Sequence, residues 1–300
     1  MLYAFFSEDG ALDRAAFARQ VETVIGGGAH GVAVLGLITE VSALTPAERQ
    51  TIVDWTVEAT AGRRPILVTV AGADLKEAEA LARGAEAAGA DGIVIQPPLR
   101  AKPDEAALSA FFAAVMDAVT LPAGIQNAPE FLGVGLSPAA VSALARRCPK
   151  FRLMKCEGPI VTVKPFIGAV GGQMAVFNGR GGLELPDNLR AGCAGVAPAP
   201  DCADLQVELF DAWRRGDEAR ADALYAAILP YVVFAMQSIP IAVAYGKLMF
   251  AARAGIDNAC ACRIVRDPPD PFFLSAMRRW SSAFGRYRVT QSPARQGAAR

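Results

Sequence analysis

The chain has 300 residues, enough for one large α/β domain or a domain plus a small appendage. Lysine plus arginine and aspartate plus glutamate both number 30, so the formal net charge is zero. This balance predicts neither a basic nucleic-acid-binding field nor an acidic disordered tail. Hydrophobic residues make up 53% and supply a sizeable core, yet no charge-free apolar run reaches the roughly 18 residues of a membrane span.

The opening MLYAFFSEDG has no basic start and no small-residue cleavage site, so no signal peptide is expected. Along the chain, short apolar runs alternate with alanine-rich amphipathic stretches. The strand candidates are 2–6, 31–36, 65–71, 91–96, 121–126, 151–155, 174–178 and 194–197. Helices are predicted near 13–26, 46–61, 74–88, 104–118, 137–147, 159–170, 182–191 and 202–215. Their starts carry capping residues or a first-turn proline (Thr45-Pro46, Asp74, Ser137-Pro138, Asp201), and their ends carry glycine (Gly62, Gly89, Gly192, Gly216). The glycine run before His30 reads as a helix end entering a strand, which makes this single histidine structural or solvent-exposed.

Eight strands, each followed by a helix, predict a (β/α)8 TIM barrel over residues 1–217. Near-continuous apolar strands such as GVAVLG suit a parallel sheet buried on both faces. Strand signals stop near residue 217. Residues 218–290 read as a small C-terminal helical appendage, and the polar stretch 291–300 as a disordered tail. Six scattered cysteines suit reduced thiols and a cytoplasmic location. The Cys260-Ala-Cys262 pair lacks a second ligand pair, so no metal is expected there.

In such a barrel the chemistry lies at the C-terminal ends of the strands. That rule selects Thr39 and Glu40, Gln96, Gln126 and Asn127, Lys155 and Glu157, and Asn178 with Arg180. Lys155 is the only lysine among them. A desolvated lysine has a lowered pKa, so its neutral amine can attack a carbonyl and form a Schiff base. A structural ion pair with Glu157 or Glu40 is the alternative. NGRGGLELPDN (178–188) reads either as an anion cradle at a helix start or as tight turn geometry. Backbone amides of the 36–40 tract could hold a carboxylate. Glu40 and Glu157 are too few for a metal-dependent class of barrel.

Read together, SEDGALD (7–13), GVAVLGLITEVSALTPAER (31–49), IVIQPP (93–98), IQNAP (125–129) and LMKCEG (153–158) resemble the dihydrodipicolinate synthase / N-acetylneuraminate lyase family of Schiff-base barrels, over most of the chain. The resemblance implies that Lys155 is the imine-forming residue, that no cofactor is used, and that the protein is a homodimer or homotetramer acting on a 2-oxo acid. The departures are specific. Leu37 and Ile38 stand where the family has paired hydroxyls, Thr39 where it has glycine, and Gln126 where it has the relay tyrosine. Phe131 replaces an arginine, and Pro98 or Leu99 a second tyrosine. The usual hydroxyl relay cannot be assembled from these positions. The 2-keto-3-deoxy-L-arabonate dehydratases, which also lack the tyrosine, resemble the chain at 125–129 and at Thr39-Glu40; there a held water would carry the proton. The resemblance thus implies Lys155, Gln126 and Thr39 as catalytic residues. It implies Gly36, Leu37, Ile38, Glu40, Asn127, Asn178, Gly179, Arg180 and Val196 as substrate-binding ones. The activity implied is a dehydratase or aldolase on pyruvate or a 2-keto-3-deoxy sugar acid. A 4-hydroxy-tetrahydrodipicolinate synthase-like condensation and a non-catalytic 2-oxo-acid-binding barrel are the alternatives.

Overall fold

The computed structural model describes residues 1–98, 102–258, 260–265 and 267–289. Leu99 and the predicted tail 291–300 therefore lie outside the described residues. The first part of the chain alternates as read from the sequence. It runs α1 (Arg14–Gly26), β1 (Val32–Val34), α2 (Pro46–Thr60), β2 (Ile66–Val70), α3 (Leu75–Ala88), β3 (Gly92–Ile95) and α4 (Glu105–Asp117). Then follow β4 (Ala123–Asn127), a short α5 (Pro129–Leu132), α6 (Pro138–Arg147), β5 (Phe151–Cys156), α7 (Ile160–Val170), β6 (Ala175–Asn178), α8 (Leu185–Arg190), β7 (Gly195–Val196) and α9 (Ala203–Arg214). The strands form one parallel sheet in the order β1 to β7, each paired with its sequence neighbours. This is a TIM-barrel-like α/β fold.

Local chemistry explains the boundaries. Thr45 and Glu48 close a reciprocal capping box on α2 behind Pro46. Asp74 and Ser137 cap α3 and α6 through their side-chain oxygens. Helix α3 buries Ala78, Ala82 and Ala85, spaced by four and three, so one stripe of small side chains faces the sheet. All residues of β3 and β4 are buried, as expected for parallel strands covered on both faces.

Two expectations change. Asp201 does not cap α9: the cap position is Cys202, and Asp201 sits one residue earlier in a 3-10 turn. The predicted first strand, 2–6, forms no ladder. Its residues are fully buried, but the Tyr3 N–H and C=O are both taken by the side-chain amide of Gln20 on α1, at 2.9 Å each. A side chain here does the work of a neighbouring strand. The segment still spans the open seam of the sheet: Leu2 N–H donates to the Ala33 carbonyl on β1, and the Met1 nitrogen to the Pro198 carbonyl beyond β7.

Three further helices follow: α10 (Glu218–Ala235), α11 (Ile239–Ala254) and α12 (Pro271–Ser281). They build a second apolar cluster with α8 and α9, centred on residues such as Leu209, Tyr231 and Phe234. Helix α11 also brings a buried lysine, Lys247, to the loop after β1. Among the described residues no helix is long and apolar enough to cross a membrane.

Candidate active site

Strand β5 places the central residue. Side chains alternate along a strand, so Met154 and Cys156 are buried away from solvent while Lys155 keeps 12% side-chain exposure. Parallel register sets Gln126 of β4 on one side of Lys155 and Phe177 of β6 on the other. Glu157, two residues on and just past the strand, shares its face. The Lys155 Nζ lies 3.1 Å from Glu157 Oε1.

The second carboxylate oxygen is held by a chain of amides. Gln126 Nε2 donates to Glu157 Oε2 at 2.5 Å, and Gln96 Nε2 donates to Gln126 Oε1 at 3.2 Å. Three successive strand ends thus converge on one carboxylate, all of it buried. An amide oxygen used as acceptor leaves its nitrogen as donor, so the chain has one direction, toward Glu157. Gly179, after β6, is required by close approach: a Cβ there would collide with the Glu157 carboxylate. Cys156, between the two charged residues, faces away, and burial pushes its thiol up to about 12. It is not a nucleophile at neutral pH.

The loop after β1 forms the next wall. Leu35 and Glu40 both adopt left-handed backbone, at φ 62° and 59°, a conformation that costs an ordinary residue about 1–3 kcal/mol. Between them Leu37–Thr39 make a 3-10 turn. Leu37 and Ile38 line one cavity with Lys155, Glu157, Phe131 and Arg180. Gly36 lies against the Met1 side chain.

Other residues singled out from the sequence are turned to internal bonds. Thr39 is fully buried and donates to the Leu2 carbonyl at 2.7 Å. Glu40 is drawn away from Lys155: it pairs with Lys247 at 2.7 Å and accepts the backbone N–H groups of Arg263 and Ile264. Asn127 clamps Leu136 through both that residue's N–H and its carbonyl. Asn178 donates to the Gly158 carbonyl and to Asn188, and accepts from the Gly179 N–H. Arg180 sits between Glu130 at 3.5 Å and Glu184 at 3.4 Å. Val196 pairs with Asn178 in the sheet and lines a second cavity that Lys155 also borders. His30 is 64% exposed beside Asp211 and the Phe210 ring.

One pair went unread in the sequence. Asp201 and Tyr231 line the same cavity as Lys155, and the Tyr231 hydroxyl donates to Asp201 Oδ2 at 2.8 Å. Burial raises the Asp201 carboxyl, while the Tyr231 bond opposes that shift. The only sequence signal was an aspartate near a helix start, which reads as a cap. Nothing local connects it to a tyrosine thirty residues on.

The chain resembles known proteins over most of its length. The Dihydrodipicolinate synthetase family matches residues 1–261. YagE of Escherichia coli K12 is 32% identical over 229 residues, covering 75% of this chain and 76% of that protein. An L-2-keto-3-deoxyarabonate dehydratase of Azospirillum brasilense is 29% identical over 233 residues, covering 76% and 75%. A 4-hydroxy-tetrahydrodipicolinate synthase of Acidiphilium cryptum is 30% identical over 224 residues, covering 74% and 77%. The crystal structure of YagE in complex with pyruvate superimposes with a TM-score of 0.84 at 26% identity, over 93% of this chain and 95% of that one. With a family match over residues 1–261 and a YagE-like architecture over 93% of its length, the chain belongs to the dihydrodipicolinate synthetase family.

Proposed function

We propose that the protein is a lyase that condenses a 2-oxo acid with Lys155 and breaks a bond beside the resulting imine, as a dehydratase or an aldolase. The observation that carries this reading is the contact between Lys155 and a buried carboxylate, Glu157, at the mouth of the barrel. The relative named as an L-2-keto-3-deoxyarabonate dehydratase and the pyruvate complex of YagE support it.

The lysine must lose a proton before it attacks, and Glu157 is placed to take it. The same carboxyl can return the proton to the carbinolamine hydroxyl, which leaves as water. The iminium then draws electrons from the neighbouring carbons. Gln126 cannot be the acid–base group, since an amide does not titrate near neutral pH; it holds Glu157 so that Oε1 faces the amine. Glu157 thereby takes the place of a tyrosine relay. Thr39 fixes the 37–39 turn from beneath. The N–H groups of Leu37 and Ile38 lead that turn, where a helix has no partner for them, and they are suited to hold the substrate carboxylate. Gly36, Glu40, Asn127, Asn178, Gly179 and Val196 support the walls, and Arg180 lies at the rim.

Imine chemistry of this kind needs neither metal nor cofactor. We place residues 1–217 as the barrel and 218–290 as a helical appendage built onto it, in a cytoplasmic homodimer or homotetramer, as the family likeness suggests.

Incubation with pyruvate and borohydride tests the reading. The pyruvate-derived mass should appear on the peptide holding Lys155 and vanish in Lys155→Ala. An adduct on another lysine, or none with any 2-oxo acid, overturns it.

A further inference from the structure

The walls around Lys155 carry a second message, about the far end of the substrate. A site that reads hydroxyl groups needs donors and acceptors that stay unused until the substrate arrives; a buried polar group left unpaired by the wrong ligand is what gives such sites their discrimination. Here the polar side chains that line the Leu37–Phe131 cavity with the amine, and the asparagines behind it, already have protein partners. Asn127 and Asn178 are bonded to backbone on both ends of their amides. Arg180 is set between two carboxylates. Asp201 accepts from Tyr231 and from the Cys202 N–H. Glu157 is held by Gln126 and Lys155. What remains facing the cavity is apolar: Leu37, Ile38, Phe131, Val232, Met236 and Ile239.

We infer that this enzyme prefers a 4-hydroxy-2-oxo acid whose C4 substituent is an alkyl or aryl group, over a polyhydroxylated sugar acid. The inference rests on the imine-forming reading above and deepens it. In the cleavage direction the C4 hydroxyl gives its proton to Glu157, and the C3–C4 bond electrons pass into the iminium. An apolar aldehyde departs. The enamine then takes a proton at C3, and water hydrolyses the imine to release pyruvate. The sum is one hydroxy-oxo acid to one aldehyde plus pyruvate, with no co-reactant beyond the water exchanged at Lys155. An apolar aldehyde is stabilised against the wall by removal of its surface from water. A polyol would lose hydration there without recovering hydrogen bonds.

The test compares racemic 4-hydroxy-2-oxo-4-phenylbutanoate and 4-hydroxy-2-oxohexanoate with 2-keto-3-deoxy pentonic and hexonic acids. Consumption of each acid, by cleavage or by loss of water, is followed on the full-length wild-type protein. The expected result is a kcat/KM at least tenfold higher for the two apolar acids. Ile38→Ser and Phe131→Ser should each narrow that ratio several-fold, mainly through KM for the apolar acid. Equal rates, a preference for the sugar acids, or no turnover of the apolar acids by a protein that does trap pyruvate on Lys155 would overturn the inference. Absence of the pyruvate adduct itself would instead overturn the imine reading on which it rests.

Discussion

Among the described residues two lysine–glutamate pairs lie inside the molecule, and they are finished differently. Lys247 and Glu40 are both without exposure and 2.7 Å apart. The second Glu40 oxygen accepts two backbone N–H groups, at 2.7 and 3.0 Å. Lys247 also donates to the Ala261 carbonyl and stands over the Phe5 and Phe6 rings. Every charge there has a fixed protein partner, so the pair ties helix α11 and the 260–265 segment to the loop after β1. Lys155 and Glu157 are 3.1 Å apart at 12% and 7% exposure and face a cavity. Among the described residues Glu157 is the only ion-pair partner of Lys155. A charge pair closed on all sides holds structure, whereas one left open toward a cavity can exchange protons and accept a new bond.

Swapping the damage between the pairs should separate these roles most widely. Lys155→Ala should abolish turnover and the borohydride adduct at a smaller cost in unfolding free energy than Lys247→Met, because Glu157 keeps its Gln126 hydrogen bond and borders a cavity. Lys247→Met should do the reverse. It strands the Glu40 charge in the interior, at a cost of about 3–5 kcal/mol in urea unfolding. Any folded Lys247→Met protein should still trap pyruvate on Lys155. Loss of the adduct in folded Lys247→Met would show that the two pairs are not independent.

A smaller break concerns the acid–base group. Glu157→Gln keeps the shape and a hydrogen bond to Gln126 but removes the titrating proton. Turnover should fall by roughly 10²–10⁴-fold, and mass spectrometry should still find the pyruvate adduct, formed more slowly. Unchanged turnover would move the acid–base role elsewhere in the cavity, with Asp201 and Tyr231 the next groups to vary.

Gln126→Tyr sharpens the same point from the other side. A phenol at this position cannot offer Glu157 the amide's geometry and crowds the wall, so turnover should drop by about tenfold, roughly 1.4 kcal/mol of barrier. Adduct formation should change less, since Lys155 itself is the nucleophile. A tenfold rise in aldolase rate would mean that the present site is an impaired tyrosine relay.

The smallest expected effect is none. Dialysis against EDTA should leave the rate of pyruvate release unaltered, because among the described residues no group of three or more His, Cys, Asp or Glu side chains is placed to hold a metal ion. Activity lost to the chelator and restored by Mg²⁺ or Zn²⁺ would place the enzyme in a different mechanistic class.

What the amino-acid sequence determined by itself is the part set by short-range rules. Hydrophobic periodicity and capping residues located seven of the eight predicted strands and the helices between them, since both signals act within a few residues. Strand alternation also put Lys155 and Glu157 on one face, two positions apart. Only the tertiary structure decided which partner each polar group would take. Glu40, a strand-end carboxylate in the sequence, is claimed by a lysine 207 residues away. The apolar run 2–6 has strand composition, yet Gln20 from a neighbouring helix saturates Tyr3 and leaves no ladder to form. Asp201 reads as a cap but meets Tyr231 across the cavity. A buried polar group must be satisfied by whatever the fold brings within about 3 Å, and that proximity is not written in any local stretch of the chain.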